Sequence, residues 1–546
     1  MLHKLEQGLA RHPAWFPLPL ADPHYDYGLF YLERELSELN KSLSDFGLPA
    51  PAFDWTAQSG LRPVGTYDAG EEAAIAAELI VQLNPEQKLH FDNIVNAVLT
   101  APETAQYYLQ GPGGTGKTFL YKAICHHMRG LGKSVLCAAS TGIAALLLPD
   151  GRTSHNRFAV PILLDDQSIC NITKQSLRGK AFAEVDLIIW DEVPMQHKYC
   201  FEAVHRLLCD MRSVPDEILF GGVSVILGGD FSQILPVVPR GSRAQIVHSC
   251  LQRSWIWDKL TLLQLNTNMR VSGGLRDAEF VKWISSLPFD QSMSPLASIP
   301  DYIDRQPDLQ GLIKMIYSLR LLASATRNFD VFTGTALLTT KNGTVSEINQ
   351  AVHKEMPGVE RVYFSRNTAV LSDNPEEDAN MPVEFLNALE PNGMQPHRLA
   401  LKVGSPIIML RNINPAIGLC NGTRMAVVQM YNHSIKVKIM GGQWHNEQRT
   451  IFKVNISSEE RDLPHILKRY QFPVRLCFAM TINKSQGQSF SKVGLDFRSS
   501  CFSHGQFYVA ASRTSKVDGL HVLAGGDREF ATANVVYPEV LIHPII

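Results

Sequence analysis

Two regimes of apolar spacing alternate along this 546-residue chain. Near the N-terminus, Leu29, Leu32, Leu36, Leu39, Leu43 and Phe46 recur every three or four residues, drawing one apolar stripe down a helix that stops at Gly47. The stripe is under three heptads long, so it either docks on the main body or offers a short seam to a partner helix. Pro49, Pro51, Gly60, Pro63, Gly65 and Gly70 then spell a linker. Beyond it, Asn84-Pro85-Glu86-Gln87 opens a helix: an Asn cap, a first-turn Pro, and a Gln at the third position that can reach back to the cap.

The spacing then changes to short continuous apolar runs, which are strands buried on both faces. Tyr107 to Leu109, Ser134 to Ala139, Leu187 to Trp190 and Val223 to Leu227 each run into a polar or glycine-rich stretch, and a helical pattern from Phe119 to Met128 follows the first. Strands alternating with helices, with polar residues at each strand's carboxyl end, predict a parallel α/β sheet with its ligand along that edge. The pattern restarts with a strand at Ala336 to Thr339 and a helix from Thr344 to His353, and resumes at Val474 to Thr481 until the end. In between, Pro406 to Leu410, Met425 to Met430, Ile435 to Ile439 and Thr450 to Val454 are short runs separated by Asn-Gly and Gly-Gly turns. They predict a small β-barrel inserted in the second α/β unit.

Length sets an expectation of about three to five compact units. A hydrophobic content of 45% and a charged content of 19% are ordinary for a soluble globular protein. The formal net charge of -2 does not advertise nucleic acid, yet a local basic groove can still bind it. Nine scattered cysteines without a C-x-x-C pair fit a reducing compartment and indicate neither a zinc site nor a disulfide framework. The first twenty residues lack the apolar core of a signal peptide, and no stretch of about 18 apolar residues appears, so a soluble intracellular protein is expected.

The chemistry concentrates at Gln110-Gly111-Pro112-Gly113-Gly114-Thr115-Gly116-Lys117-Thr118, a complete G-x-x-x-x-G-K-[ST] loop between a strand and a helix. Gly113, Gly114 and Gly116 let successive N–H groups turn toward phosphate oxygens, with the helix N-terminus behind them. Lys117 would neutralise the β- and γ-phosphates of ATP, and Thr118 would put its hydroxyl on Mg²⁺. At the end of the Leu187 to Trp190 strand, Asp191 would hold Mg²⁺ and Glu192 would accept a proton from the attacking water.

With Gln87, the phosphate loop, Thr141 to Ala145, Asp191 to Met195, Gly229-Asp230-Phe231-Ser232-Gln233, Asn268-Met269-Arg270, Thr481 to Gly487 and Tyr508 to Arg513 in that order, the chain from about Leu83 onward resembles the PIF-family DNA helicases of superfamily one, branch B. Within the family it is most similar to the helicase half of Helitron rolling-circle transposon proteins. That likeness rests on Pro194 to His197, Phe201 to Val204, Val238 to Arg243, Pro382 to Leu386, Gly418 to Thr423 and Asn534 to Val540.

The resemblance implies an α/β architecture of two RecA-like P-loop domains. The first spans 81–275, with a wedge insertion at about 157–183. The second spans 276–404 and 471–546, with an SH3-like insertion at 405–470, and a helical N-terminal region and linker fill 1–80. It also implies that Gln233 senses the γ-phosphate, that Arg270 and Arg513 are arginine fingers, and that Gly487 joins the nucleotide site. Gln87 would read adenine, beside its purely structural reading as a cap. Thr141, His155, Thr481, Lys484 and Ser485 would line the single-strand path, with packing or capping roles left open for Thr141 and His155, and surface ion pairs for the two arginines.

Asn483 stands where many relatives carry His, and no His-hydrophobic-His motif for a replication-initiator nuclease occurs. The expected activity is ATP- and Mg²⁺-dependent, 5′ to 3′ translocation on single-stranded DNA with unwinding at duplex junctions. Helitron-type transposition or genome maintenance (repair, recombination, telomere maintenance) would be its setting. A monomer is expected, without a membrane, in the nucleus or alternatively the mitochondrion. Two other readings remain at this point: an inactive, transposon-derived DNA-binding remnant, and a P-loop ATPase that remodels protein.

Overall fold

In the computed structural model, six parallel strands make the first sheet: β1 (Gln106–Gln110), β2 (Val135–Ala139), β3 (Arg152–Thr153), β4 (Leu187–Asp191), β5 (Ser224–Gly229) and β6 (Thr261–Gln264), in the order β3-β2-β4-β5-β1-β6. The structure describes residues 42–52, 67–269, 274–371, 381–391, 393–414, 417–458, 465–525 and 530–543, together with 26, 29, 30, 32 and 33. Successive side chains of β4 serve opposite cores. Leu187 and Ile189 pack with Leu109 and Ile226, whereas Ile188 and Trp190 pack with Tyr108, Val225 and Leu227. That double burial is why the run is continuously apolar, each such side chain contributing about 1.5 to 3 kcal/mol.

Three helices flank the phosphate loop: α1 (Ala69–Val81), α2 (Pro85–Thr100) and α3 (Lys117–Gly130). The sequence places only linker and turn at the start of α1, because Gly70 reads as a breaker. In fact Asp68 caps the helix, accepting from the Gly70 and Glu71 N–H groups at 2.8 and 3.0 Å, so the glycine sits harmlessly in its first turn. α1 lies so close to α3 that a Cβ on Gly130 would meet the Ala73 backbone at 3.0 Å. Glu72 faces the His126 ring at 2.6 Å across that contact. Of the N-terminal stripe, Leu36 and Leu39 lie outside the described residues, as do Gly60, Pro63 and Gly65 of the linker.

The second sheet is also parallel: β7 (Asp304–Arg305), β8 (Thr335–Thr339), β9 (Ala479–Thr481), β10 (Lys492–Phe497) and β11 (Leu520–Ala524), in the order β9-β8-β10-β11-β7. Two parallel sheets with helices make the molecule α/β with two RecA-like units.

Between β8 and β9 the chain leaves for an antiparallel region larger than 405–470. Arg361–Phe364 pairs with Arg398–Leu401, and Arg366–Leu371 pairs with His465–Gln471. Tyr363, Leu399 and Leu401 share a core with Ile407, Val437 and Phe472. The apolar run Val474 to Thr481 divides as well: Val474–Leu476 closes the five-stranded antiparallel sheet against Ile407–Met409, and only Ala479–Thr481 enters the parallel one. No period distinguishes one long strand from two short ones in different sheets.

The C-terminal segment returns from the second unit to the first. Tyr537 and Val540 are buried in the core that contains Trp190 and Phe231, and Glu539 meets Arg243 at 2.7 and 3.1 Å. Among the described residues, no helix is long and apolar enough to cross a membrane.

Candidate active site in the cleft between the two sheets

β1 delivers the phosphate loop at the carboxyl edge of the first sheet, pinned from both sides. Gly111 N–H donates to the Gly229 carbonyl at 3.2 Å, and Leu265 N–H to the Gln110 carbonyl at 2.9 Å. Gly114 and Gly116 take φ of +100° and +83°, which a side chain would strain. The loop closes on itself through Thr115, whose N–H and Oγ1 both reach the Pro112 carbonyl, at 3.3 and 3.0 Å. Lys117 folds its ammonium back onto the Gly111 and Pro112 carbonyls.

Gln87 makes the expected capping box: its N–H donates to Asn84 Oδ1 at 2.8 Å, and its Oε1 accepts from the Asn84 N–H at 3.1 Å. It is nonetheless buried, and its Nε2 donates to the Thr115 carbonyl at 3.0 Å, tying the cap to the phosphate loop.

Asp191 ends β4, 5% exposed. Burial, and then the neighbouring Glu192 charge, push its carboxyl up to about 7, against the pull of Lys117, the Glu192 N–H and the Thr118 hydroxyl. Asp191 and Thr118 thus present adjacent oxygens, with charge repulsion that a hard divalent cation would relieve; the donor set fits Mg²⁺. Glu192 follows in the left-handed region at φ 56°, uncommon for a residue with a Cβ, and this turn redirects its side chain away from the strand.

The second unit meets this edge directly. Gln486 Nε2 donates to Glu192 Oε2 at 2.8 Å. The Tyr508 hydroxyl donates to Asp230 Oδ2 at 3.0 Å. Asp230, fully buried, also accepts from Gln110 Nε2 at 3.2 Å, Gln233 Nε2 at 3.3 Å and the Ser232 N–H at 3.0 Å. Gly505 lies against Ser232 and Gln233 so closely that a Cβ would come within 2.7 Å of their backbone atoms. His504 staples three segments: one ring nitrogen donates to the Phe231 carbonyl at 2.8 Å and the other accepts from the Tyr537 N–H at 2.9 Å. Burial pushes its pKa down to about 4, so the neutral ring that this pairing requires is the stable one.

Arg513 is 3% exposed, which rules out the solvent-exposed ion pair held open above. Its guanidinium binds the Val509 and Gln488 carbonyls at 2.8 and 2.9 Å, and its Nη2 lies 4.0 Å from where a Cβ on Gly113 would sit. Arg270 lies outside the described residues.

The residues expected on the single-strand path fall into different settings. Thr141 caps the helix Gly142–Leu146, its Oγ1 accepting from the Ala144 N–H at 3.2 Å. His155 is exposed on the short helix Ser154–Phe158. Thr481 and Lys484 are half-buried, and Lys484 has its pKa lowered to about 8 by burial and then by the charge of Arg475, with Arg411 adding to it. Ser485 is fully buried and donates to the Ile482 carbonyl at 2.7 Å, closing its own turn. Gly487, at φ 78°, approaches Ala144 of the first unit. The Gly418 to Thr423 loop of the β insertion also reaches the first unit, where Cys420 and Asn421 crowd Gly142.

The segment 157–183 is anchored by Phe158, Val160, Cys170 and Phe182 in the first core, yet exposes Ile162 and Ile169 by 82% and 70%. Sequence reasoning missed Asp230, Tyr508 and Gln486 as partners, although all three fall inside motifs already singled out.

Comparison with known proteins gives two family matches: a PIF1-like helicase model over residues 82–288, and the 2B domain of DNA helicase Pif1 over residues 384–430. The chain is 26% identical over 470 residues to the ATP-dependent DNA helicase PIF1 of Danio rerio, covering 84% of this chain and 64% of that protein. It is 24% identical over 502 residues to the ATP-dependent DNA helicase RRM3 of Saccharomyces cerevisiae, covering 85% and 67%. The chain spans just under two thirds of the length of several such relatives, 64% and 66% for two of them. Among solved structures, Bacteroides Pif1 bound to single-stranded DNA shares the fold with a TM-score of 0.57 at 20% identity, over 85% of this chain and 95% of that one. The Pif1 helicase of Candida albicans gives 0.56 at 22% identity, over 84% and 97%.

Proposed function

Because the chain belongs to the PIF1-like helicase family, we propose that it is an ATP-driven motor that moves 5′ to 3′ along single-stranded DNA and separates duplexes at junctions. The observation that carries this reading is the cleft in which Gln486, Tyr508 and Arg513 of the second unit meet Glu192, Asp230 and the phosphate loop at Gly113 of the first. A nucleotide in that cleft touches both units at once, so binding and loss of its γ-phosphate drive closure and opening.

Lys117 trades the Gly111 and Pro112 carbonyls for phosphate oxygens, and Arg513 reaches the transferring phosphoryl from the second unit, with Arg270 as its companion finger. Gln233, tethered to Asp230, reports the γ-phosphate to the network that includes Tyr508. Gln87 reads adenine from its position against the loop, and Gly487 completes the nucleotide site. Thr118 and Asp191 would hold Mg²⁺, which would supply charge neutralisation at the phosphates. Glu192 takes the proton of the attacking water.

DNA lies across both units on Thr141, His155, Thr481 and Lys484. The basic group around Lys484, with Arg475 and Arg411, concentrates positive charge on a chain whose net charge is only -2. A phosphate there favours the ammonium against the burial that lowers its pKa. The 157–183 segment, with Ile162 and Ile169 exposed, is the strand-separating wedge, and the β insertion covers the strand. A DNA substrate places the work in the nucleus or, alternatively, the mitochondrion.

Steady-state ATP hydrolysis with and without an oligonucleotide tests the reading. Single-stranded DNA is expected to raise turnover at least about tenfold, the effect of about 1.4 kcal/mol taken from the barrier. ATP turnover indifferent to DNA would contradict it.

A further inference from the structure

We propose that Gln486, reaching across from the second unit, holds the attacking water together with Glu192 during ATP hydrolysis; the inference rests on the reading of the cleft as an ATPase site. Gln486 is 1% exposed, and its Nε2 lies 2.8 Å from Glu192 Oε2. A carboxylate only accepts hydrogen bonds, so the atom facing it must be the amide nitrogen, and the orientation of the amide is thereby fixed. What remains is Oε1, a buried carbonyl oxygen with no partner among the described residues. Buried amide oxygens are normally satisfied, and an exception calls for a role.

The role follows from what a water nucleophile needs. It must direct a lone pair at the γ-phosphorus, so both of its hydrogens require acceptors on the far side. Glu192 supplies one and takes the proton; Gln486 Oε1, on the same side chain that is bonded to Glu192, supplies the other and exchanges no proton. The water oxygen forms the new bond to phosphorus, the bond from phosphorus to the β,γ-bridging oxygen breaks, and its electron pair leaves with ADP. The pair is assembled only when the two units meet, because Glu192 follows a strand of the first sheet and Gln486 belongs to the second unit. Gln486 also directly follows Ile482–Ser485, the turn that carries Lys484, so a strand gripping that turn sets the position of the amide.

Steady-state kinetics with saturating single-stranded DNA on Q486A, Q486E, E192Q and the double variant Q486A/E192Q provide the test, with melting temperature and DNA affinity measured beside them. Q486A is expected to lower kcat by about thirtyfold or more, in the range of positioned acid-base groups, while the KM for ATP and the Kd for DNA stay within about threefold. Q486E keeps the size of the side chain but cannot donate to Glu192, and its kcat is expected to fall likewise. In the E192Q background the same Q486A change is expected to cost less than about threefold, since the two residues act as one unit. A Q486A or Q486E enzyme at wild-type kcat, or an equal fractional loss in both backgrounds, would overturn the role of Gln486 and leave the ATPase reading standing. A wild-type chain without ATPase activity would instead remove the premise, and the inference with it.

Discussion

Lys117→Ala is expected to fold and melt like the wild type and to hydrolyse ATP about a hundred- to a thousandfold more slowly, a loss of roughly 3 to 4 kcal/mol of transition-state stabilisation. The two halves of that expectation come from one observation. The ammonium rests on the Gly111 and Pro112 carbonyls, and both those bonds stay within the loop. Its removal therefore takes no structural ion pair away, and α3 keeps Gly116 as its N-terminal flank and gains a strong helix former at its first position. What it does take away is the charge that meets phosphate oxygens. ATPase rates beside thermal melts check both halves, and near wild-type turnover would sink the assignment of the loop.

Glu192→Gln is expected to bind ATP normally and to turn over about a hundred- to ten-thousandfold more slowly, the range for loss of a positioned general base. The substitution is isosteric, so the left-handed backbone at φ 56° keeps the same residue shape. The bond from Gln486 survives as well, since the new amide oxygen can face Nε2. The enzyme then closes on ATP and DNA but cannot remove the water's proton, and a long-lived complex on DNA is the expected product. Nucleotide binding measured with a fluorescent analogue, beside single-turnover hydrolysis, separates the two steps. Loss of binding itself would assign Glu192 a structural role.

The chemistry of the first unit was legible because it is local. A phosphate loop is a run of consecutive residues whose glycines must take positive φ, and the carboxylates stand at the end of an apolar strand whose burial on both faces leaves a continuous signature. What was not legible is what distance in sequence hides. Tyr508 meets Asp230 across 278 positions, and no spacing rule connects them. Strand 366–371 joins the β insertion by pairing with 465–471, and the pair 361–364 and 398–401 joins it through a shared core; their mixed polar and apolar character carries no address. Ser485 shows a third limit: a hydroxyl suited to a phosphate is equally suited to the carbonyl of its own turn, which it meets here. Gln87 satisfies its cap and touches the phosphate loop as well, so for that residue the structural reading and the functional one are compatible.

Strand separation on tailed duplexes is the decisive assay, because it requires the nucleotide cleft, the single-strand path and the wedge to work together. With ATP and Mg²⁺ the purified chain is expected to unwind a duplex carrying a 5′ single-stranded tail and to leave one carrying only a 3′ tail largely intact, since only the first offers a strand on which 5′ to 3′ movement runs into the junction. Unwinding that prefers the 3′ tail would reverse the polarity, and ATP hydrolysis without separation of either duplex would show a motor that does not unwind.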